Sequence, residues 1–360
     1  MSRKKCVAIV FGGKSGEHDV SLLSASSVIQ AIDQTKYTPL PVGISQTGEW
    51  LTGEEAFRYL SEHLDSSFTE RLKQDIPVVE DYRGSMFPSA VFASVDVVFP
   101  VLHGTYGEDG TIQGMLEMLN MPYVGAGVLA SSVGMDKAVS KILFQDAGLP
   151  QAKYLVFPYL ETSQTIIQQV ENQLGYPCFV KPANLGSSVG ISKAEDRSTL
   201  EKAIAVAREY DRKIVIEEFV PAREIEVAVL GNESPKASNP GEIISSNDYY
   251  DYEAKYISGT SKMQIPAVLP EDTLEQIRQM AITAYLAIDG SGLARVDFFV
   301  HRDNGEIYIN EINTMPGFTA FSMYPKMWEQ AGLSYTDLIS ELIQLGEQRY
   351  QLKASLNTHR

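Results

Sequence analysis

Glu311 and Asn313 stand two residues apart in Tyr308-Ile309-Asn310-Glu311-Ile312-Asn313-Thr314-Met315-Pro316-Gly317. On a strand, that spacing sends both side chains out of one face. Arg295 and Asp297 have the same spacing upstream, and Asp303-Asn304-Gly305 between the two runs is a hairpin signal. Two carboxylates and an amide oxygen on neighbouring strands make a hard oxygen site suited to Mg²⁺ or Mn²⁺. The same residues also make a buried ion pair of Arg295 with Glu311 or Asp297, and residue types do not choose between the two. A second cluster is Val180-Lys181-Pro182-Ala183-Asn184-Leu185-Gly186-Ser187-Ser188-Val189-Gly190. Glycines and hydroxyls let backbone N–H groups approach phosphate oxygens, and Lys181 adds charge. An ordinary flexible hairpin has the same composition.

Two weaker signals join them. Glu217-Glu218-Phe219-Val220 ends an apolar run, where a backbone edge beside an aromatic can hold adenine. It also reads as a plain exposed strand edge. Glu17-His18-Asp19-Val20-Ser21 and His103-Gly104-Thr105-Tyr106-Gly107-Glu108-Asp109-Gly110 both lie where a strand runs into a helix. That is the carboxyl edge at which α/β domains bind ligands. As alternatives, His103 is a turn histidine, and Glu17 and Asp109 cap the helices that follow.

The elements that must position these residues fall into two textures. Val7–Phe11 is a continuous apolar run ending at two glycines, which predicts a buried parallel strand. A helix is expected over Ser21–Ile32, and strands over Tyr37–Ile44 and Val95–Leu102. A helix over Thr111–Leu119 and a short strand at Tyr123-Val124 complete an α/β unit with a parallel sheet. Residues from about 45 to 90 read as an insertion with one helix, Glu54–Leu64. Past residue 135 the pattern changes to α+β with antiparallel strands. Helices are expected over Asp136–Ala147 and Ser198–Tyr210, with strands at Cys178–Pro182, Ile191–Lys193, Ile214–Phe219, Glu224–Leu230 and Glu242–Ser246. Pro270 opens a long helix with Asp272 as its expected cap. Asp248–Thr260 is polar, Tyr-rich and without core periodicity.

Composition limits the function classes. The 360 residues suit two or three domains, and 44% hydrophobic residues suit folded cores. A net charge of −16 argues against gripping nucleic acid or an anionic membrane. No apolar run approaches the roughly 18 residues of a membrane span. Met1–Lys5 is basic, but the apolar run after it stops at Gly12-Gly13, too soon for a signal peptide. Cys6 and Cys178 sit in separate apolar runs and read as buried reduced thiols, so a cytoplasmic location is expected. Two motifs are decoys. Gly12-Gly13-Lys14-Ser15 imitates a P-loop, but Ala8 stands where that motif needs its first glycine. Gly125-Ala126-Gly127-Val128-Leu129-Ala130 fits a dinucleotide fingerprint, but follows only a two-residue strand and reads better as a tight turn before a helix.

Taken in order, GGKSGEHDVS, HGTYGEDGT, GMDKAVSK, VKPANLGSSVGI, DYYDYEAKY, ARVDFF and NEINTMPGFT resemble the D-alanine–D-alanine ligases of the ATP-grasp superfamily, over nearly the whole chain. The segment after Ile44 is longer than in the shortest members. The resemblance implies an ATP-grasp fold: a parallel-sheet α/β domain over 1–135, a central α+β subdomain over 136–220 and a C-terminal α+β subdomain over 221–360. The last two would hold ATP between them. It implies that ATP phosphorylates one D-alanine carboxylate and that the amine of a second D-alanine attacks the acyl phosphate, making a peptidoglycan precursor.

The resemblance also implies roles. Asp297, Glu311 and Asn313 would hold two Mg²⁺ or Mn²⁺ ions. Lys137, Lys181 and Lys255 would contact phosphates, with Gly186, Ser187 and Ser188 in the loop closing over them. Glu217, Glu218, Phe219 and Val220 would frame adenine, Glu224 would hold the ribose, and Phe299 and Asn310 would line the nucleotide. Arg295 and the N–H of Gly317 would stabilise the oxyanion. Glu17 would pair with the first D-alanine, His103 would help position the amino acids, and Ser322 and Met323 would bind the second carboxylate. Glu17, Ser187 and Tyr256 would close the Asp248–Thr260 loop, and Tyr256 favours an amine nucleophile. The family suggests a homodimer. The other readings kept open are a different ATP-grasp carboxylate–amine ligase acting on another amino or hydroxy acid, a nicotinamide dehydrogenase, and a non-catalytic nucleotide-binding regulator.

Overall fold

A computed structural model gives the fold and describes residues 3–61, 79–244 and 262–357. The chain begins with β1 (Lys5–Gly12), α1 (His18–Ala31), β2 (Tyr37–Ile44), β3 (Trp50–Thr52), α2 (Gly53–Ser61), β4 (Tyr82–Gly84), α3 (Ser89–Phe92), β5 (Val97–Pro100) and α4 (Thr111–Met118). Their sheet has the order β4-β3-β2-β1-β5. β1 pairs parallel with β2 and β5, and every residue of β1 after Lys5 is buried. Burial on both faces is why Val7–Phe11 carries no polar alternation. The carboxyl ends of β1 and β5 lead into the loops bearing Glu17 and His103. Gly12 makes the first turn possible: its φ is +90°, and a Cβ there would lie 2.1 Å from the Ile44 carbonyl oxygen.

The middle of the chain folds as α5 (Val128–Met135), α6 (Lys137–Asp146), β6 (Tyr154–Pro158), α7 (Ser163–Gln173), β7 (Cys178–Pro182), β8 (Ser192–Ala194), α8 (Arg197–Tyr210) and β9 (Lys213–Glu218). The four strands form an antiparallel sheet, β6-β9-β7-β8. Ile166, Ile167 and Val170 of α7 and Leu200, Ala203, Ile204 and Ala207 of α8 pack on it in a core of its own. α8 starts on a reciprocal cap between Asp196 and Thr199.

The remainder comprises β10 (Ala222–Gly231), β11 (Lys236–Ala237), β12 (Gly241–Ile244), β13 (Lys262–Gln264), α9 (Glu271–Ala287), β14 (Gly292–His301), β15 (Ile307–Asn313), α10 (Met323–Gln330) and α11 (Tyr335–Ser355). The sheet order is β13-β12-β10-β14-β15, with β11 on β10. Ile277, Ala281, Ala284 and Tyr285 bury one face of α9 on this sheet. α10 and α11 share a second core with β1, α1 and β5, so the first and last sheets are welded together.

The elements match the expected alternation, with local differences. The insertion holds more than one helix: β3 and β4 add antiparallel strands to the first sheet, and α3 follows. Three-residue strands are too short to show a period. The helix expected over Glu54–Leu64 runs Gly53–Ser61, and residues 62–64 lie outside the described ones. Asp272 does not cap α9: Pro270 occupies that position, and Glu271 and Asp272 sit in the first turn, near the positive end of the helix. Asp136 is the cap of α6 rather than its first residue, and its carboxylate accepts from the Ala138 and Val139 N–H groups. β6, α7, α10 and α11 were not expected from the sequence.

Candidate active site

β14 and β15 form the antiparallel ribbon, with Arg295 opposite Asn313 and Asp297 opposite Glu311. A register shift between Asp297 and Phe298 separates this end of the ribbon from its regular part. Arg295 donates through Nε and Nη2 to both Asp297 oxygens at 2.7 Å, and Nε lies 3.2 Å from Glu226. The buried pair considered above is therefore formed with Asp297, and Glu226 is a partner the sequence did not single out. Burial opposes the charge on Arg295, but Asp297 and Glu226 outweigh it and raise its pKa well above the usual arginine value. Asn313 donates to Asp297 at 3.0 Å.

Among the described residues, no three His, Cys, Asp or Glu side chains gather as a metal cluster. The ribbon instead offers two facing carboxylates with the Asn313 amide beside them. This donor set fits Mg²⁺, which takes one or two carboxylates and completes its shell with phosphate oxygens and water.

The Gly/Ser loop meets this ribbon. Lys137, at the start of α6, donates to the Leu185 carbonyl at 2.6 Å and lies 3.5 Å from Glu311. Ser187 and Ser188 have φ of 50° and 60°, a strained conformation for non-glycine residues. Ser187 donates to Glu17, which ties the loop to the α1 side of the first sheet. Glu17 stands at the N-cap position of α1 without capping it through its side chain. Asp109 is not the N-cap of α4, a place taken by Gly110; it stands one residue earlier and accepts from the Tyr106 and Thr111 N–H groups at 2.8 and 3.0 Å.

Glu217 lies on β9, an inner strand of the middle sheet, and is 3% exposed, so it is no exposed edge. Lys181 donates to it at 2.7 Å, and Lys141 of α6 lies 3.0 Å from its other oxygen. Burial alone would raise this carboxyl; the two ammonium groups together override it and hold the pKa at about 2. Lys181 also reaches Asn310 at 3.4 Å, which links the middle sheet to β15. Glu218 accepts from the Lys153 N–H at 2.8 Å, and Phe219 is exposed with the Lys193 ammonium over its ring. Val220 lies two residues past the end of β9, and Glu224 pairs with Phe299 across β10 and β14.

His103 is buried, which lowers its pKa, so it is neutral. Its Nδ1–H donates to the Met315 carbonyl at 3.1 Å, and Nε2 accepts from Ser24 Oγ at 2.9 Å. Glu108 takes the other end of the same residue. Its oxygens accept from the Met315 N–H at 3.3 Å and from the Gly104 N–H at 2.6 Å. Burial and the charge of Glu17 push its carboxyl up to about 8. Gly317 follows two residues later, with Ser322 3.2 Å from where a Gly317 Cβ would stand. Ser322 Oγ accepts from the Thr319 N–H at 3.1 Å, and Met323 opens α10 in the core.

The structure thus brings together Glu17, Ser187, Gly186, Lys137, Glu311, Lys181, Glu217 and Asn310, and on the ribbon Glu311 faces Asp297, which Arg295 and Asn313 hold. Lys255 and Tyr256 lie outside the described residues. Sequence reasoning missed Glu108, Lys141, Glu226 and Ser24. Glu108 and Lys141 stood inside quoted motifs, but nothing in residue type marked them as buried.

Two family models match, "D-ala D-ala ligase N-terminus" over residues 6–126 and "D-ala D-ala ligase C-terminus" over residues 143–344. The D-alanine–D-alanine ligase of Acetivibrio thermocellus is 50% identical, with 97% of this chain and 98% of that protein covered. The one from Bacillus velezensis is 52% identical over 96% of this chain and 98% of its own. Among solved structures, the D-alanine–D-alanine ligase of Coxiella burnetii superposes with a TM-score of 0.81 at 34% identity, covering 98% of this chain and 97% of that one. The VanG D-Ala:D-Ser ligase of Enterococcus faecalis gives 0.80 at 35% identity, covering 96% and 100%. With full-length relatives, both halves matched and an ATP-grasp architecture in common, this chain belongs to the D-alanine–D-alanine ligase family.

Proposed function

We propose that this chain is an ATP-dependent ligase that joins two D-alanines into D-alanyl-D-alanine for peptidoglycan precursors. The observation that carries the reading is the meeting of three separate segments at one place. Ser187 of the Gly/Ser loop bonds Glu17 of the first unit, and Lys137 touches both that loop and Glu311 of the ribbon. The units assigned are 1–135, 136–220 and 221–360, with ATP between the last two.

A carboxylate is a poor electrophile and a triphosphate is heavily anionic, so the site must neutralise charge and align two anions. Lys137, Lys181 and Lys255 bind phosphates, and the Gly186–Gly190 loop covers them. Asp297, Glu311 and Asn313 would hold two divalent ions, Mg²⁺ or Mn²⁺, which would supply charge neutralisation to the phosphates. Glu217 to Val220 frame adenine, Glu224 meets the ribose, and Phe299 and Asn310 line the nucleotide. Glu17 orients the first D-alanine, His103 helps to position the amino acids through Met315, and Ser322 and the Met323 backbone receive the second carboxylate. Arg295 and the Gly317 N–H face the oxyanion, where losing one donor commonly costs about 3 kcal/mol of barrier. The roles assigned to Tyr256 and the 248–260 loop, to complete a bridge with Glu17 and Ser187 and to exclude water that would hydrolyse an acyl phosphate, fall on residues outside the described ones.

The family supports a homodimer as the assembly. The unpaired buried thiols Cys6 and Cys178 support a cytoplasmic location. Among the described residues, no helix is long and apolar enough to cross a membrane.

The test is phosphate release from ATP and Mg²⁺ with D-alanine, L-alanine or D-lactate supplied in turn. D-alanine alone should support fast release and yield the dipeptide, and Glu311→Gln should stop it while the protein stays folded. Release with L-alanine but not D-alanine removes the reading. If D-lactate is preferred to a second D-alanine, another carboxylate ligase of the same fold replaces it.

A further inference from the structure

Lys181 has three N–H donors to divide between Glu217, Asn310 and a phosphate. Its ammonium is 2.7 Å from one Glu217 oxygen, inside a pocket where Glu217 is 3% exposed. If Lys181 turns to a phosphate, Glu217 becomes a buried carboxylate short of one counter-ion, which is strongly unfavourable unless another cation remains. Lys141 is that cation. It sits on α6 one turn after Lys137, is 1% exposed, lies 3.0 Å from the second Glu217 oxygen and packs over the Tyr154 ring at 5.3 Å. Nothing else in the phosphate reading uses it.

We propose that Lys141 is a positioning residue for nucleotide binding: it keeps Glu217 ionised and oriented, so that Lys181 is free to leave it for the phosphates. The two lysines then divide the labour by depth. Lys141 is fixed and structural to the carboxylate; Lys181 swings between Glu217, Asn310 and the ligand. The burial of Lys141 favours its neutral form and the charge of Glu217 opposes this, so each group sustains the other's ionisation. The proposal rests on the assignment of Lys181 to phosphate and Glu217 to adenine.

The test uses the full chain and steady-state phosphate release. Lys141→Met should raise the KM for ATP by about tenfold or more while the KM for D-alanine stays within about twofold, and Lys141→Arg should recover most of the loss. A folded Lys141→Met protein with an unchanged KM for ATP overturns the proposal, as does an equal rise in both constants. Should Lys141→Met fail to fold, Glu217→Gln is compared with Lys141→Met/Glu217→Gln. A neutral amide needs no counter-ion, so both should show the same KM for ATP; a further rise in the double variant overturns the proposal. Lys181→Met separates the two levels. An unchanged KM for ATP there overturns the phosphate assignment and the proposal together. A raised value there, beside an unchanged one in Lys141→Met, leaves the assignment standing and removes only the role of Lys141.

Discussion

Met315 is held at both polar groups by one turn of the first unit, its N–H by Glu108 and its carbonyl by His103. Gly317, two residues on, inherits its place from that grip. Neither side chain needs to touch substrate for its loss to be felt. Glu108 also carries a pH signature. Its pKa is raised to about 8 in the folded chain, first by burial and then by Glu17. The folded state therefore holds a proton that the unfolded state, with an ordinary carboxyl, has released. This group's contribution is complete below the unfolded value and fades as pH rises through about 8. Thermal midpoints should fall from pH 5 towards pH 8 by more in the parent chain than in Glu108→Gln, which removes the titration. The same variant leaves one of two backbone N–H groups facing an amide donor, so kcat should fall with the KM for ATP unchanged. Parallel pH–stability curves for the two proteins would assign the slope to other groups. None of this was legible beforehand, because an acid in HGTYGEDGT looks the same whether it faces water or Met315.

At the level of elements, the Gly/Ser loop depends on its exit as much as on its tip. Gly190 has a φ of +72°, and a Cβ there would sit 2.7 Å from the Tyr210 ring and 2.8 Å from Pro182. Gly190→Ala therefore combines backbone strain of about 1–3 kcal/mol with a clash against α8 and β7. The loop should shift outward, and the KM for ATP should rise at least about fivefold while the KM for D-alanine changes little. Wild-type constants in a folded Gly190→Ala protein would show that the loop does not cover the nucleotide. The loop, the ribbon and the Asp303-Asn304-Gly305 turn were legible because glycine, serine and period-two alternation each have a local cause. The apolar run of β1 was legible for the same reason. β3, β4 and the buried charges behind the site were not: three-residue strands have no period, and Lys141 and Glu226 differ from solvated charges only through contacts distant in sequence. Tyr335–Ser355 shows the opposite failure, a long helix whose buried stripe of Leu338, Ile339, Leu342 and Ile343 was there to be read.

Across the whole molecule, the cores are unequal. One runs from β1 and α1 through β10 to α10 and α11, joining the first and last sheets. The middle sheet keeps its own core, and a small apolar cluster of Ala138, Ala183 and Val215 bridges α6 to it. Polar ties to the rest include Lys213 to Asp136 at 2.5 Å, Lys181 to Asn310 at 3.4 Å, Lys141 to Glu217 at 3.0 Å, and Ser187 to Glu17. The middle sheet can pivot against α6, which stays in the last sheet's core through Phe144, without opening its own core, whereas moving the first sheet against the last would expose buried Phe318, Tyr324 and Met327. If nucleotide binds between the middle and last sheets, it should suppress that pivot. Amide exchange in β7, β8 and the intervening loop should slow when ATP analogue and Mg²⁺ are added, and exchange in β1 and β2 should not. Uniform slowing over all three sheets would mean that ligand stabilises the chain globally instead of closing one unit. Slowing confined to β1 and β2 would move the nucleotide to the other side of the molecule and take the roles of Lys181 and Glu217 with it.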